Sequence, residues 1–303
     1  VDWNEDMEPT EATRQRPARL AVGVIGPGRV GSVLGAALER AGHRVVAASA
    51  VSETSRDRVE RRLPDARVRE PAGVVEAADL VLLTVPDDAL APLVDGLADT
   101  GARVEGTILA HTSGSHGYGV LSSATSLGAL PLALHPVMTF TGRDEDLDRL
   151  ASCAFGVTAP EALRPIAEAL VVEMGADPVW IAEEHRALYH TALAGGANHL
   201  VTLVTESAAL LGKAGVESPS RVLGPLLGAA LDNALRLGTD GLSGPVMRGD
   251  AETVAGHIAQ LRAHSPESVP SYVALARLTA GRALDAGMLK PNDAERLLDV
   301  LRA

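Results

Sequence analysis

The stretch Leu20-Ala21-Val22-Gly23-Val24-Ile25-Gly26-Pro27-Gly28-Arg29-Val30-Gly31 decides the fold of this chain. Its first six residues are an apolar run of strand length, and its last six spell G-x-G-x-x-G. Val30, Val33, Leu34, Ala37 and Leu38 then recur at the spacing of one buried helix face, which predicts a helix over 29–41. A glycine-rich turn alone says little. Between an apolar strand and a patterned helix, it is the form of turn that binds a dinucleotide. Gly26 makes the tight turn, Gly28 lets the backbone approach the pyrophosphate, and Gly31 lets helix and strand pack closely. The helix start offers free N–H groups and a positive dipole end to the phosphates. Gly26, Pro27, Gly28, Arg29, Val30 and Gly31 are therefore read as cofactor-binding residues.

Outward from this motif, apolar strand-like runs alternate with helical ones. Strands are expected at 45–48, 67–69, 80–84, 107–110, 130–134, 154–158 and 179–181, with helices over 88–97 and 160–174. After Ile181 only helical patterns remain: 183–211, a helix started by Ser218 and Pro219, then 250–261, 271–286 and 293–301. Pro225 either kinks its helix or begins another. The fold class is α/β: a Rossmann-type, doubly wound, mainly parallel sheet followed by an all-helical domain. The expected divisions are a mobile tail over 1–18, a dinucleotide-binding domain over 19–182, and a helical substrate and dimerisation domain over 183–303.

Composition narrows the function classes. The chain has 303 residues, 46% hydrophobic and 22% charged, enough for two compact cores. Its formal charge of -12, with no basic patch, argues against nucleic-acid binding. No run of about 18 apolar residues predicts a membrane span, and residues 1–18 lack the apolar core of a secretory signal. The cytoplasm is the expected location. The single cysteine, Cys153, sits in an apolar stretch and reads as a buried, inert thiol. Lys213 and Lys290 are the only lysines, so a catalytic lysine is nearly unavailable.

The cofactor type is read past the second strand. An NAD site usually carries an acid about 20 residues after the glycines; here that place falls near Ser49. Ser52, Ser55, Arg56 and Arg58 follow, residue types suited to a 2′-phosphate. Glu53 stands among them, and the arginines also fit a solvated helix face. NADP(H) is the expected cofactor, with Ser49, Ser52 and Arg56 as contacts. Ligands of open α/β sheets lie outside the carboxyl ends of the strands. Thr84, Val85, Pro86 and Ser113 are accordingly placed on the cofactor side of the crevice and His135 on the substrate side. Asp88 fits the cap of the helix that follows.

In the helical half, His190 and Asn198 lie about 80° apart on one helix, with Ala194 between them. Histidine titrates near neutrality and suits a proton donor to a developing alkoxide; a satisfied interdomain histidine is the plainer alternative. Ser243-Gly244-Pro245-Val246-Met247-Arg248-Gly249-Asp250 fixes a backbone path before a helix. Arg248 suits a substrate carboxylate, and Asp250 suits the helix N-cap. No metal is expected: His185 and His190 are five apart, and the glutamate of H-E-x-x-H is missing. No G-x-S-x-G elbow supports a serine hydrolase.

Together the glycine motif, Leu82-Leu83-Thr84-Val85-Pro86-Asp87-Asp88, His111-Thr112-Ser113-Gly114, Leu134-His135-Pro136-Val137-Met138-Thr139-Phe140, Tyr189-His190 with Asn198, and Gly244 to Asp250 resemble a bacterial family that joins a Rossmann-like domain to a helical domain of unknown function. That family is similar to ketopantoate reductases, pyrroline-5-carboxylate reductases and the 6-phosphogluconate dehydrogenase-like helical domains. The resemblance implies a K-x-x-x-N-x-x-x-N helix, where this chain has His190, Ala194 and Asn198, and a substrate-binding serine near Ser243. It further implies a homodimer through the helical domain and an NADPH-dependent reduction of a small anionic 2-oxo acid, ketopantoate first. An imine or cyclic-dienol substrate is the alternative enzyme reading, and a catalytically silent NADP(H)-binding regulator is the alternative of another class.

Overall fold

The computed structural model describes residues 19–302, so the tail expected over 1–18 lies outside the described residues. The chain divides into two compact units that meet between Leu193 and Ala194.

The first unit is built on eight strands: β1 (Ala21–Ile25), β2 (Arg44–Ser49), β3 (Arg67–Val68), β4 (Leu80–Leu83), β5 (Ile108–His111), β6 (Leu130–Pro136), β7 (Ala154–Thr158) and β8 (Asp177–Trp180). They lie in the order β3-β2-β1-β4-β5-β6-β7-β8. All neighbours are parallel except β6 and β7, which pair antiparallel with Leu134 opposite Val157. Each expected strand is present, with small shifts of its ends.

Both faces of the sheet are buried, which is why its central strands are continuously apolar rather than alternating. Leu80 and Leu82 point into one core with Val33, Leu34 and Leu38 of the helix Arg29–Arg40 and Leu170 of the helix Arg164–Glu173. Val81 and Leu83 point into the other core with Val74 and Val75, and with Leu90, Val94 and Leu97 of the helix Asp87–Asp99. Helices therefore cover both faces, the doubly wound arrangement.

Several local expectations change. The helix after β4 has Pro86 at its N-cap, so Asp88 lies in the first turn and is not the cap. Ser218 occupies an N-cap position but makes no capping bond, and the helix Pro219–Leu237 runs on through Pro225 rather than restarting there. The long helix begins at Arg186, after a short 3-10 turn over Glu183–His185, and runs to Lys213. Asp250 does cap its helix, Ala251–His264, by accepting a hydrogen bond from Thr253 N at 3.0 Å.

The second unit continues the long helix from Ala194 and adds the helices Pro219–Leu237, Ala251–His264, Val269–Asp285 and Pro291–Val300. Its core packs Val254 and Ile258 against Ala276, Ala280, Ala283, Leu289 and Leu297. The helix Pro219–Leu237 buries only Leu223 and leaves Leu226, Leu231 and Leu235 exposed. No helix among the described residues is long and apolar enough to cross a membrane.

Candidate active site

The glycine loop follows β1 at its carboxyl end. Gly26 adopts φ +83°, a left-handed conformation that glycine takes without steric penalty; its N–H donates to Ser49 O at the end of β2, 3.1 Å away. Thr84, just past β4, donates its hydroxyl to Gly26 O at 2.6 Å and so locks the loop to the neighbouring strand. A Cβ on Gly31 would lie 2.2 Å from that same Thr84 Oγ1 and 2.9 Å from Gly26 O, so protein packing alone forbids a side chain there. A Cβ on Gly28 would meet only Gly26 O, at 3.8 Å. Nothing in the protein demands glycine at this position, and the open space in front of it suits a ligand that must reach the backbone. The helix Arg29–Arg40 has no acid in its first turn and no side chain capping its start, so its dipole end stays free for an anion.

Beside the loop, Gly26, Pro27, Ser49, Ser52 and Val85 border a groove of about 530 Å³. This groove can hold the adenosine half of a dinucleotide. At its rim, Ser52 caps the helix Glu53–Arg62 and its hydroxyl lies 2.9 Å from that of Ser55. Arg56, exposed, reaches back to Ala50 O at 3.4 Å. No acid follows β2 until Glu53. The donor set thus fits a dinucleotide, and its hydroxyl and guanidinium groups fit a phosphate on the ribose.

The carboxyl ends of β5 and β6 carry a cluster of histidines with separate roles. His111 is fully buried; its Nδ1 accepts from Ser113 N at 3.2 Å, leaving Nε2–H to donate to Gly117 O at 2.9 Å. Burial pushes its pKa down to about 4, so it is a neutral brace for the loop. His135, at the end of β6, shares a hydrogen bond of 2.8 Å between its Nδ1 and the hydroxyl of Tyr189. Burial, then the charges of Arg186 and His190, push its pKa to about 4 as well. Tyr189 is itself raised above the usual range by burial.

His190 completes the cluster. Its ring stands edge-on to that of His135, with centroids 6.1 Å apart. Both lie over Gly114, where a Cβ would meet His190 Cδ2 at 2.6 Å and His135 Nε2 at 3.0 Å. Asp87, the first residue of the helix Asp87–Asp99, accepts from Ser115 Oγ at 2.7 Å; Ser115 in turn lies 3.2 Å from Ser113 Oγ. Burial works against the charge on Asp87, but the bonds from Ser115 and Ser113 and the nearness of His116 and His190 outweigh it. Its carboxyl therefore stays below the usual range.

One buried cation holds these pieces together. Arg186, at the start of the long helix, is only 1% exposed. It donates through Nε to His116 O at 2.9 Å, through Nη1 to Gly156 O at 3.0 Å, and through Nη2 to Ser113 O. Its guanidinium carbon also sits 5.4 Å from the centre of the Tyr189 ring. Three carbonyl dipoles take the place of a carboxylate partner. Glu183 adds a second brace, accepting from the backbone N–H groups of Tyr118 and Gly119 at 3.0 and 2.9 Å.

Of the residues expected at the site, the first unit brings together the glycine loop, Ser49, Thr84, Val85, Pro86, Ser113, His135 and His190. Asn198, Ser243 and Arg248 belong to the second unit, where all three are exposed. Arg248 makes no ion pair among the described residues; Asp250 bonds Thr253 instead of pairing with it. Arg186 was not legible as a site residue, and Asp87, Gly114 and Tyr189 stood in the quoted motifs without individual roles, because those roles come from contacts across 21 to 76 positions of sequence. Cys153 is buried, with its thiol pushed up to about 11 by burial, and takes no part. No group of metal-ligating side chains occurs among the described residues.

Residues 7–136 match the Rossmann-like domain family, and residues 153–279 match a domain of unknown function, DUF2520. The chain joins a Rossmann-like domain to a DUF2520 domain. The DUF2520 match begins at β7, so in this Rossmann-like–DUF2520 chain the second family contributes strands to the sheet as well as helices. A comparison with curated protein sequences finds no match. Among solved structures, a Bacteroides fragilis protein assigned to the NADP oxidoreductases is 24% identical, with a TM-score of 0.71 over 87% of this chain and 98% of that one. A Thermotoga maritima protein is 19% identical, with a TM-score of 0.66 over 88% and 99%. The imine reductase of Myxococcus stipitatus, in complex with NADP+, is 18% identical, with a TM-score of 0.63 over 92% and 99%. At these identities the likeness shows the fold.

Proposed function

We propose that the protein is an NADPH-dependent reductase of a small substrate with a C=O or C=N bond. One observation carries this reading. His190 and His135 converge over Gly114 at the carboxyl ends of β5 and β6, the same sheet edge that presents the Gly26–Gly31 loop. That loop would hold a dinucleotide, with Ser52 and Arg56 toward its ribose, and the bound cofactor would supply the hydride. His190 donates the proton that the reduced oxygen or nitrogen requires. The Tyr189 hydroxyl and the neutral His135 hold a hydrogen-bonded pair beside it. General acids of this kind contribute on the order of 10²–10⁴-fold in rate.

Ketopantoate is the first substrate to test. Its carboxylate suits the exposed guanidinium of Arg248, with Ser243 in the same motif, and its ketone oxygen suits Asn198 as a further hydrogen-bond partner. A second reading, imine reduction, is supported by the shared fold of the Myxococcus stipitatus imine reductase and of a Plasmodium falciparum pyrroline carboxylate reductase with NADP bound. The exposed Leu226, Leu231 and Leu235 support a homodimer through the helical unit. The deciding experiment follows NADPH absorbance with ketopantoate, pyrroline-5-carboxylate and, in the oxidising direction with NADP, prephenate. Turnover of ketopantoate is expected. Turnover of pyrroline-5-carboxylate alone moves the function to imine reduction. Firm NADPH binding with none of them turned over overturns this substrate set and favours the silent regulator.

A further inference from the structure

The second unit contains a pocket of about 370 Å³, made wholly by its own helices and by the loop that carries Pro245 and Val246. We propose that it binds a small primary amine, with the ammonium received by Glu206 and the apolar body by Leu203, Leu210, Val246, Leu261 and Leu275. The volume is at the lower end of the range for small-molecule sites, which are mostly apolar with a few placed polar groups.

Charge decides the ligand class. No lysine or arginine lines the pocket, and Glu206 is its one carboxylate. Glu206 is half-buried, and the only donor it meets among the described residues is Ser271 Oγ, shared between its two oxygens at 3.2 and 3.5 Å. As the sole charge on a mostly apolar wall, this carboxylate has no cation partner within the pocket and attracts one. The nearest lysine along the helix, Lys213, borders the neighbouring depression together with Glu206. It lies two turns on, about 10 Å along the axis. It is also committed elsewhere, to His264 O at 2.8 Å, Ser265 Oγ at 3.1 Å and Glu267 at 3.5 Å. An anionic ligand would meet Glu206 with no compensating charge, and a single carboxylate is too few ligands for a divalent metal. An ammonium supplies both the missing charge and strong donors. The Tyr272 hydroxyl, bonded to His257 Nδ1 at 2.8 Å, adds a further polar group on the wall.

The wall formed by Pro245 and Val246 is held in a defined place. Gly244 and Gly249 take φ of +93° and +71°, and a Cβ on Gly249 would lie 2.7 Å from Asp293 Cβ. The loop is thus pressed onto the helix Pro291–Val300, and Val246 is presented to the cavity. This gives the glycine–proline motif a packing role separate from that of Arg248.

The inference does not rest on the reductase reading, and its test needs neither NADPH nor turnover. Calorimetric titration of the full chain with 2-phenylethylamine is compared with 2-phenylethanol and 3-phenylpropanoate. Saturable binding of the amine is expected, at least about 10-fold tighter than the alcohol, since a hydrogen bond to a charged group contributes on that order; the carboxylate should not bind. Glu206→Gln, which keeps shape, should lose the amine preference with an unchanged melting temperature. Leu275→Trp, which places a larger side chain on the pocket wall, should lose binding of every probe. Equal binding of amine and alcohol, an unaffected Glu206→Gln variant, or amine heats that do not saturate would each overturn the proposal. So would amine binding that vanishes as the protein is concentrated into a dimer, since a second copy would then cover the pocket.

Discussion

The two glycines at the start of the cofactor helix should separate stability from binding, because the structure gives them opposite surroundings. Alanine at position 31 would place its Cβ 2.2 Å from Thr84 Oγ1 and 2.9 Å from Gly26 O. The Thr84 hydroxyl cannot simply retreat, since it bonds both Gly26 O and Ile25 O, and a backbone carbonyl yields even less. Overpacking of this kind costs about 1–3 kcal/mol, and each kcal/mol lowers the melting temperature of a unit this size by roughly 2–4 °C. Gly31→Ala should therefore melt about 2–12 °C lower and bind NADPH poorly, because the loop must shift. Alanine at position 28 meets only Gly26 O, at 3.8 Å, and the backbone there has φ -76°, which alanine tolerates. Gly28→Ala should melt within about 2 °C of the native protein, since surface substitutions usually change stability by under about 0.5 kcal/mol. It should nevertheless weaken NADPH by roughly 10–100-fold, the worth of a lost hydrogen bond to a charged phosphate. Scanning calorimetry and NADPH titration by fluorescence read both quantities on both variants. Unchanged NADPH affinity in Gly28→Ala would refute the idea that the pyrophosphate crosses this backbone. An undiminished melting temperature in Gly31→Ala would refute the packing argument.

Three further outcomes follow from the site. His190→Ala should lower kcat by on the order of 10²-fold or more while leaving NADPH affinity within about 3-fold; an equal loss of both would make His190 a cofactor-binding residue instead. His111 and His135 titrate near 4 in the folded chain against 6.5 ordinarily, so the unfolded chain binds more protons between those values. Stability in urea should accordingly rise with pH from about 4 to 6.5, by up to roughly 1.4 kcal/mol per pH unit for each histidine, and a flat profile would count against their burial as neutral groups. Arg248→Lys should raise the KM of an anionic substrate markedly with NADPH affinity intact, because lysine keeps the charge but loses the planar two-donor fork; an unchanged KM would remove Arg248 from the substrate site.

The eight strands, the helix Arg29–Arg40 and the glycine turn could be read from the sequence because each depends on residues close together along the chain. An apolar run such as Leu80–Leu83 has the same appearance whatever lies beside it, and Gly26, Gly28 and Gly31 announce themselves by spacing and by the strand before them. The helix cap at Asp250 is local in the same way. Tertiary structure decided what local patterns leave open. Only the strand order sets Thr84 against Gly26, and so separates Gly31, excluded by packing, from Gly28, open to a ligand. The antiparallel pairing of β6 with β7 turns Gly156 toward the long helix, where its carbonyl meets Arg186. Arg186 and Tyr189 look in sequence like ordinary helix residues. They become site residues because the start of that helix lands on the loop after β5, so that a buried guanidinium must find three carbonyls and a tyrosine hydroxyl must find His135. Such pairings depend on where remote backbone segments come to rest, and the periodicity of a single segment carries no record of that.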